Sequence, residues 1–188
     1  MLRDVFQMPS PMKIMGRTSS ITNAFVNSII PSIYPSDEEI IEALRILGMD
    51  LETVKCAYCG DTSTEWDHIR PIVRDKKPTG FISEIGNLVP ACGKCNQSKG
   101  NKDWRMWMVS DARLSPKTKG VSDVGDRMTR LDTYEEWKPR DPIDFKSIIG
   151  IDKWDQHWKN HDGVIDSMRV SQVLAEEIKT TINESGAI

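Results

Sequence analysis

KCAYCGDTSTEWDHIRP (residues 55–71) and GNLVPACGKCNQSKGN (residues 86–101) are the two stretches on which the reading of this chain turns. Cys56 and Cys59 form one C-x2-C pair, Cys92 and Cys95 another, with 32 residues between the pairs. A C-x2-C knuckle folds the chain so that two sulfurs face one point, and two knuckles complete a tetrahedral thiolate shell for zinc. Gly60 and Gly93 allow the tight backbone a knuckle needs. Four thiolates leave no open coordination position, so this zinc is expected to be structural. A lone cysteine is commonly a small buried hydrophobe, which does not account for two spaced pairs. A redox site of the thioredoxin kind uses one pair, not two. The N-terminus, Met-Leu-Arg-Asp, lacks the apolar run of a secretory signal, so a cytosolic chain is expected, where disulfides are disfavoured.

Working outward, the chain has 188 residues, 38% hydrophobic and 28% charged, which suits one ordinary domain or a small domain with sizeable flanks. No stretch of 18 apolar residues is present, so no membrane span is expected. The net charge of -3 runs against a nucleic-acid partner. The local balance is different. From Ile69 to Arg105 there are eight basic residues (Arg70, Arg74, Lys76, Lys77, Lys94, Lys99, Lys102, Arg105) against Asp75, Glu84 and Asp103, a local +5. A basic site on an acidic body fits focused phosphate binding, although Lys76 and Lys77 read equally well as ordinary solvated positions.

Between and after the cysteine pairs lie Asp67-His68 with Pro71 nearby, then Asn87-Leu88-Val89, then Cys92-x2-Cys95-Asn96-x2-Lys99-Gly100. In these elements and their order the chain resembles the HNH endonuclease family, over about a quarter of its length (Lys55 to Asn101). The resemblance implies a ββα-metal unit, two strands and a helix around one catalytic divalent cation. Trp66 to Ile69 would be the first strand, Leu88 to Ala91 its partner, and the helix would start near Asn96. So small a unit has little core, which a zinc staple would offset. By the same resemblance, His68 is the general base that takes a proton from the attacking water. Asp67 and Asn96 would hold the cation through oxygen, which suits Mg²⁺ or Mn²⁺, and the cation would stabilise the leaving 3′ oxygen. Asn87 would brace the loop that aims His68, by side-chain hydrogen bonds to backbone. Lys99 is the leading phosphate contact, with Arg70 and Lys94 beside it. The third motif letter is Asn96 where the family name has His, and an amide accommodates Zn²⁺, Ni²⁺ or Co²⁺ less well than imidazole does. Adjacent strand residues face opposite sides, so for Asp67 and His68 to serve one site the strand must end or twist there.

The flanks read as mainly helical, giving an α+β chain: an N-terminal arm and helix (1–54), the zinc and ββα core (55–110) and a helical C-terminal region (111–188). Residues 1–20 read as a tail or arm, and 21–30 as a short apolar helix or strand. Ser36-Asp37-Glu38-Glu39 fits a capping box opening a helix that Gly48 closes. Residues 103–110 and 123–137 are helical by pattern, with a polar linker (111–122) between them. Residues 151–183 are helical with a break expected near Asp162-Gly163. His157 and His161 flank a Trp154 and Trp158 packing face rather than a metal, and Trp104 and Trp107 pack the site domain.

The expected function is an HNH endonuclease hydrolysing DNA, in restriction or phage defence, acting as a homodimer if it cuts both strands. The alternatives are a non-catalytic zinc-ribbon DNA-binding module and an RNA-directed nuclease. A ribbon needs none of Asp67, His68 or Asn96.

Overall fold

A computed structural model describes residues 8–186, and it is α+β as expected. Two compact units divide the chain at 28/29 and 145/146, so the site unit takes in segments on both sides of 55–110. The physical reason is that helices outside 55–110 complete the core of the site unit. Its buried cluster joins Cys56, Tyr58, Ile69, Val89, Ala91, Trp104, Trp107 and Met108 to Ala43 and Leu47 from the segment before it, and to Leu131 and Tyr134 from the segment after it.

In the unit spanning 29–145, helix α2 (Asp37–Ile46) starts as its sequence dictates. The Ser36 hydroxyl accepts from the Glu39 N–H, and the Glu39 carboxylate accepts from the Ser36 N–H at 2.8 Å. Gly48 follows the helix at φ +70°, a backbone conformation that favours glycine. Strand β1 (Glu65–His68) pairs antiparallel with β4 (Leu88–Ala91), with Asp67 opposite Val89 and His68 opposite Leu88. Between them a small hairpin, β2 (Val73–Arg74) and β3 (Lys77–Pro78), turns through Asp75 and Lys76, both at positive φ. That is a two-residue turn of the kind whose twist matches a hairpin.

Helix α3 (Gly93–Lys99) begins immediately after Cys92, three residues before the expected start, because the second cysteine knuckle is itself its first turn. Helix α4 (Trp104–Met108) is capped by the Asp103 carboxylate, which accepts from the Met106 N–H at 3.0 Å. Helix α5 (Val124–Trp137) lays Leu131 and Tyr134 on the core. The Tyr134 hydroxyl sits between the Ile85 and Leu88 carbonyls, 2.8 Å from the latter.

The other unit holds helix α1 (Thr18–Asn27), preceded by a 3-10 turn at Ile14–Arg17 where a tail or arm was expected, and α7 (Ile151–Glu184). The short α6 (Phe145–Ile149) spans the division. α7 runs through Asp162-Gly163 without the expected break. One helical glycine costs only about 1 kcal/mol relative to alanine, and α1 offsets it: the Thr22 hydroxyl meets His161 Nε2 at 3.0 Å and His157 Nε2 lies 3.0 Å from the Phe25 carbonyl. The two histidines therefore pack a helix face, as their sequence setting implies.

Candidate active site

The four cysteine sulfurs lie within 4.8 Å of one another, and Cys59 and Cys92 are 3.8 Å apart. A tetrahedral zinc with sulfur at about 2.3 Å sets sulfurs about 3.8 Å apart, so the donor set and its spacing fit zinc. Three of the cysteines are buried and Cys59 is half-buried. Mutual sulfur contacts push Cys56 up to about 11 and pull Cys59 far down. Four sulfurs pressed together cannot all carry charge unless a cation is shared among them. Lys119, which sequence reading missed, donates to Cys59 Sγ at 2.9 Å and to Asp61 at 2.7 Å. It arrives from a loop 60 residues away, which is why no local motif announced it.

β1 ends at His68. The alternation of the strand holds up to that point. Asp67 turns inward and is buried, where the Tyr58 hydroxyl donates to its Oδ2 at 2.6 Å and the Lys99 ammonium lies 3.0 Å from the same atom. Lys99 is fully buried and also donates to the His68 carbonyl at 2.7 Å. Burial raises the Asp67 carboxyl and lowers the Lys99 ammonium, outweighing their mutual attraction on both sides. Lys99, expected on a phosphate, is thus an internal cation that ties Asp67 to the backbone of His68.

His68 is partly buried, with Nε2 2.9 Å from the Ser83 hydroxyl. Burial, aided by the charge of Lys99, pushes its imidazole down to about 4. Ser83 is held from both sides by the 31–33 segment: the Ile33 N–H donates to the Ser83 carbonyl at 2.8 Å, and the Ser83 N–H to the Pro31 carbonyl at 3.2 Å. Asn87 is buried at the start of β4 and accepts from the Arg70 N–H at 2.9 Å. Its Nδ2 donates to the Arg70 and Ile82 carbonyls at 3.1 and 3.0 Å. One side chain therefore closes both ends of the 70–82 loop that follows His68.

Asn96 lies in the first turns of α3. Its Nδ2 donates to Glu65 Oε2 at 2.5 Å, a partner absent from the sequence reading.

Three of the eight basic residues, Lys99, Arg70 and Arg105, are held in ion pairs by the fold. Arg70 donates to the Glu135 carboxylate at 3.0 Å and to its carbonyl at 2.9 Å, and lies over the Phe81 ring. Arg105 pairs with Asp132 and Glu135. Arg70, expected on a phosphate, is a clasp between the loop and α5, with Glu135 as its partner. Lys94, Arg74 and Lys76 stay exposed.

A strand ending in a partly buried histidine, an antiparallel partner running into a cysteine knuckle, and a helix whose first turn is that knuckle together define a zinc-stapled ββα unit. Residues 56–102 of the chain match the family model described as HNH endonuclease, and the chain carries that domain. Over 97 residues it is 36% identical to the CRISPR-associated endonuclease Cas9 of Corynebacterium diphtheriae, covering 45% of this chain and 9% of that protein. Over 70 residues it is 33% identical to the CRISPR-associated endonuclease Cas9 of Actinomyces naeslundii, covering 35% of this chain and 6% of that protein. The chain thus spans less than a tenth of the length of these curated relatives. No solved structure matches. The family and both relatives are endonucleases, which supports nuclease chemistry at this domain. No helix among the described residues is long and apolar enough to cross a membrane.

Proposed function

We propose that the chain hydrolyses phosphodiester bonds of DNA, with His68 as general base, Asp67 and Asn96 holding one Mg²⁺ or Mn²⁺, and zinc on the four cysteines. The observation that carries this reading is His68 itself. Its imidazole stands at the end of β1, oriented by Ser83 and kept in the neutral form that accepts a proton. A zinc ribbon that only binds DNA has no use for such a group.

The residues divide the work. His68 takes the proton of the attacking water. Asn87 fixes the backbone of the loop beyond His68, so the imidazole meets the water in one orientation. The Tyr58 and Lys99 contacts of Asp67 both fall on Oδ2, which supports Oδ1 as the atom that would hold the cation together with the Asn96 carbonyl oxygen. An all-oxygen pair suits a hard cation. When bound, that cation supplies positive charge against the scissile phosphate and the leaving 3′ oxygen. Because Lys99 already neutralises much of Asp67, the substrate phosphate completes the negative charge of the site, and cation binding is expected to strengthen when DNA is present. Lys94, exposed on α3 two residues before Asn96, contacts the phosphate chain. Restriction or phage defence is the setting we infer for such an enzyme, and a homodimer its form if both strands are cut.

The test is plasmid cleavage with Mg²⁺ or Mn²⁺ by the wild type and by His68→Ala at equal zinc content. Cutting by the wild type alone is expected. DNA binding without cutting by either protein, with RNA also left intact, would favour the zinc-ribbon reading. Cutting of RNA but not DNA would move the same chemistry to an RNA substrate.

A further inference from the structure

We infer that Glu65 is the positioning residue of the cation site: it turns the Asn96 amide so that its carbonyl oxygen, and not its nitrogen, faces the cation. This rests on the assignment of Asn96 as a cation ligand above. An asparagine side chain presents two ends of nearly identical shape, one a hydrogen-bond acceptor and the other a donor. Only the acceptor end binds a cation. A free amide in solvent samples both orientations, so a ligand asparagine gains from a neighbour that settles the choice.

Glu65 is that neighbour. Its ionised carboxylate accepts hydrogen bonds and cannot donate them, so the amide end it touches at 2.5 Å is the nitrogen. The carbonyl oxygen then points the other way. Three features of the fold set the carboxylate there. Glu65 stands opposite Ala91 in the β1–β4 ladder, one residue before the knuckle that opens α3. It lies two residues from Asp67 in the same strand, hence on the same face. Finally, a Cβ at position 93 would stand 2.7 Å from Glu65 Oε1, so glycine at 93 leaves room for the carboxylate to lean over α3. Asn96 is fixed in turn by its own backbone, whose N–H donates to the Cys92 carbonyl at 3.0 Å. Glu65 and Asp67 thus project from one strand face toward α3, Asp67 as ligand and Glu65 as the group that orients the second ligand. Partners of this kind commonly change metal affinity or activity by about 10- to 100-fold when removed.

The experiment reads Mn²⁺ binding directly, from the electron paramagnetic resonance signal of free Mn²⁺, with full-length zinc-loaded protein and duplex DNA. All proteins carry His68→Ala so that the DNA stays intact. Adding Glu65→Ala is expected to weaken Mn²⁺ binding about tenfold, and adding Glu65→Gln to restore it to within about threefold, because the glutamine oxygen still accepts from Asn96. Asn96→Ala is the reference. If Asn96→Ala weakens binding while Glu65→Ala does not, the positioning role is wrong and the site stands. If Glu65→Gln is as weak as Glu65→Ala, Glu65 acts through its charge and the inference is overturned. If Asn96→Ala has no effect, the cation site itself is misassigned.

Discussion

At the scale of single residues, burial decides what each charged or titratable group can do. His68 ordinarily titrates near 6.5, and its surroundings bring it to about 4. The base therefore stays unprotonated through mildly acidic solution. The kcat/KM for cleavage should hold level from pH 8 down to about 5, where an exposed histidine would lose activity below about 6.5. A stopped-assay pH profile checks this, and an acid limb centred near 6.5 would contradict it. Stability follows the same sign. The unfolded chain takes up the His68 proton below about 6.5 while the folded one resists until about 4, so stability falls as pH drops through that window, by about 3 kcal/mol in all. His68→Asn should flatten that part of the urea-stability profile against pH.

Lys99 makes the contrast with an exposed phosphate contact testable. It is fully buried on Asp67, so Lys99→Ala leaves a buried carboxylate alone and should lower unfolding free energy by about 3 kcal/mol in urea. The salt dependence of DNA binding should not change. A stable variant with a shallower salt slope would return Lys99 to the phosphate. The sequence could not separate these outcomes, because motif spacing fixes where Lys99 falls on α3 but not that Asp67 and Tyr58 wait beneath it.

At the scale of elements, the hairpin β2–β3 carries two exposed cations, Arg74 and Lys76. Arg74 stands directly opposite Lys77, and Lys76 occupies the turn at positive φ. Replacing Arg74 and Lys76 together with alanine should reduce the slope of log K for DNA against log salt by about 2, measured by fluorescence anisotropy. An unchanged slope would place the hairpin off the DNA. Asn87 acts at the same scale, closing a loop with three hydrogen bonds. Asn87→Ala is expected to cost about 2–4 kcal/mol of stability, since two carbonyls and an N–H lose a buried partner, and to lower kcat more than it raises KM. The capping box at Ser36 and the helix at Val124–Trp137 were legible from local signals, and the strand at Leu88–Ala91 from the family resemblance. The continuity of α7 through Gly163 was not, because it is settled by contacts with α1 made more than 130 residues away.

At the scale of the whole molecule, the four-cysteine site lies within a core drawn from three parts of the chain. Cysteine spacing announced the staple and the order of motif residues announced the domain. The helices α2 and α5 that complete its core were read only as flanks, since a hydrophobic face does not name its partner. The same limit hid Ser83 and its support by the 31–33 segment, Glu135 beneath Arg70, and Lys119 on Cys59. Stripping zinc with a strong chelator should therefore abolish cleavage and collapse the near-ultraviolet circular dichroism of buried Trp104 and Trp107. Mg²⁺ should not restore either signal, and zinc should restore both.

The central claim is that this domain cuts phosphodiesters through His68. Its most direct test is supercoiled-plasmid cleavage with Mn²⁺ by wild type and His68→Ala, matched for zinc content. Nicked or linear product is expected from the wild type, with a loss of at least about a hundredfold in the variant. Equal cutting by both proteins, or none by the zinc-loaded wild type on DNA or RNA, would contradict it.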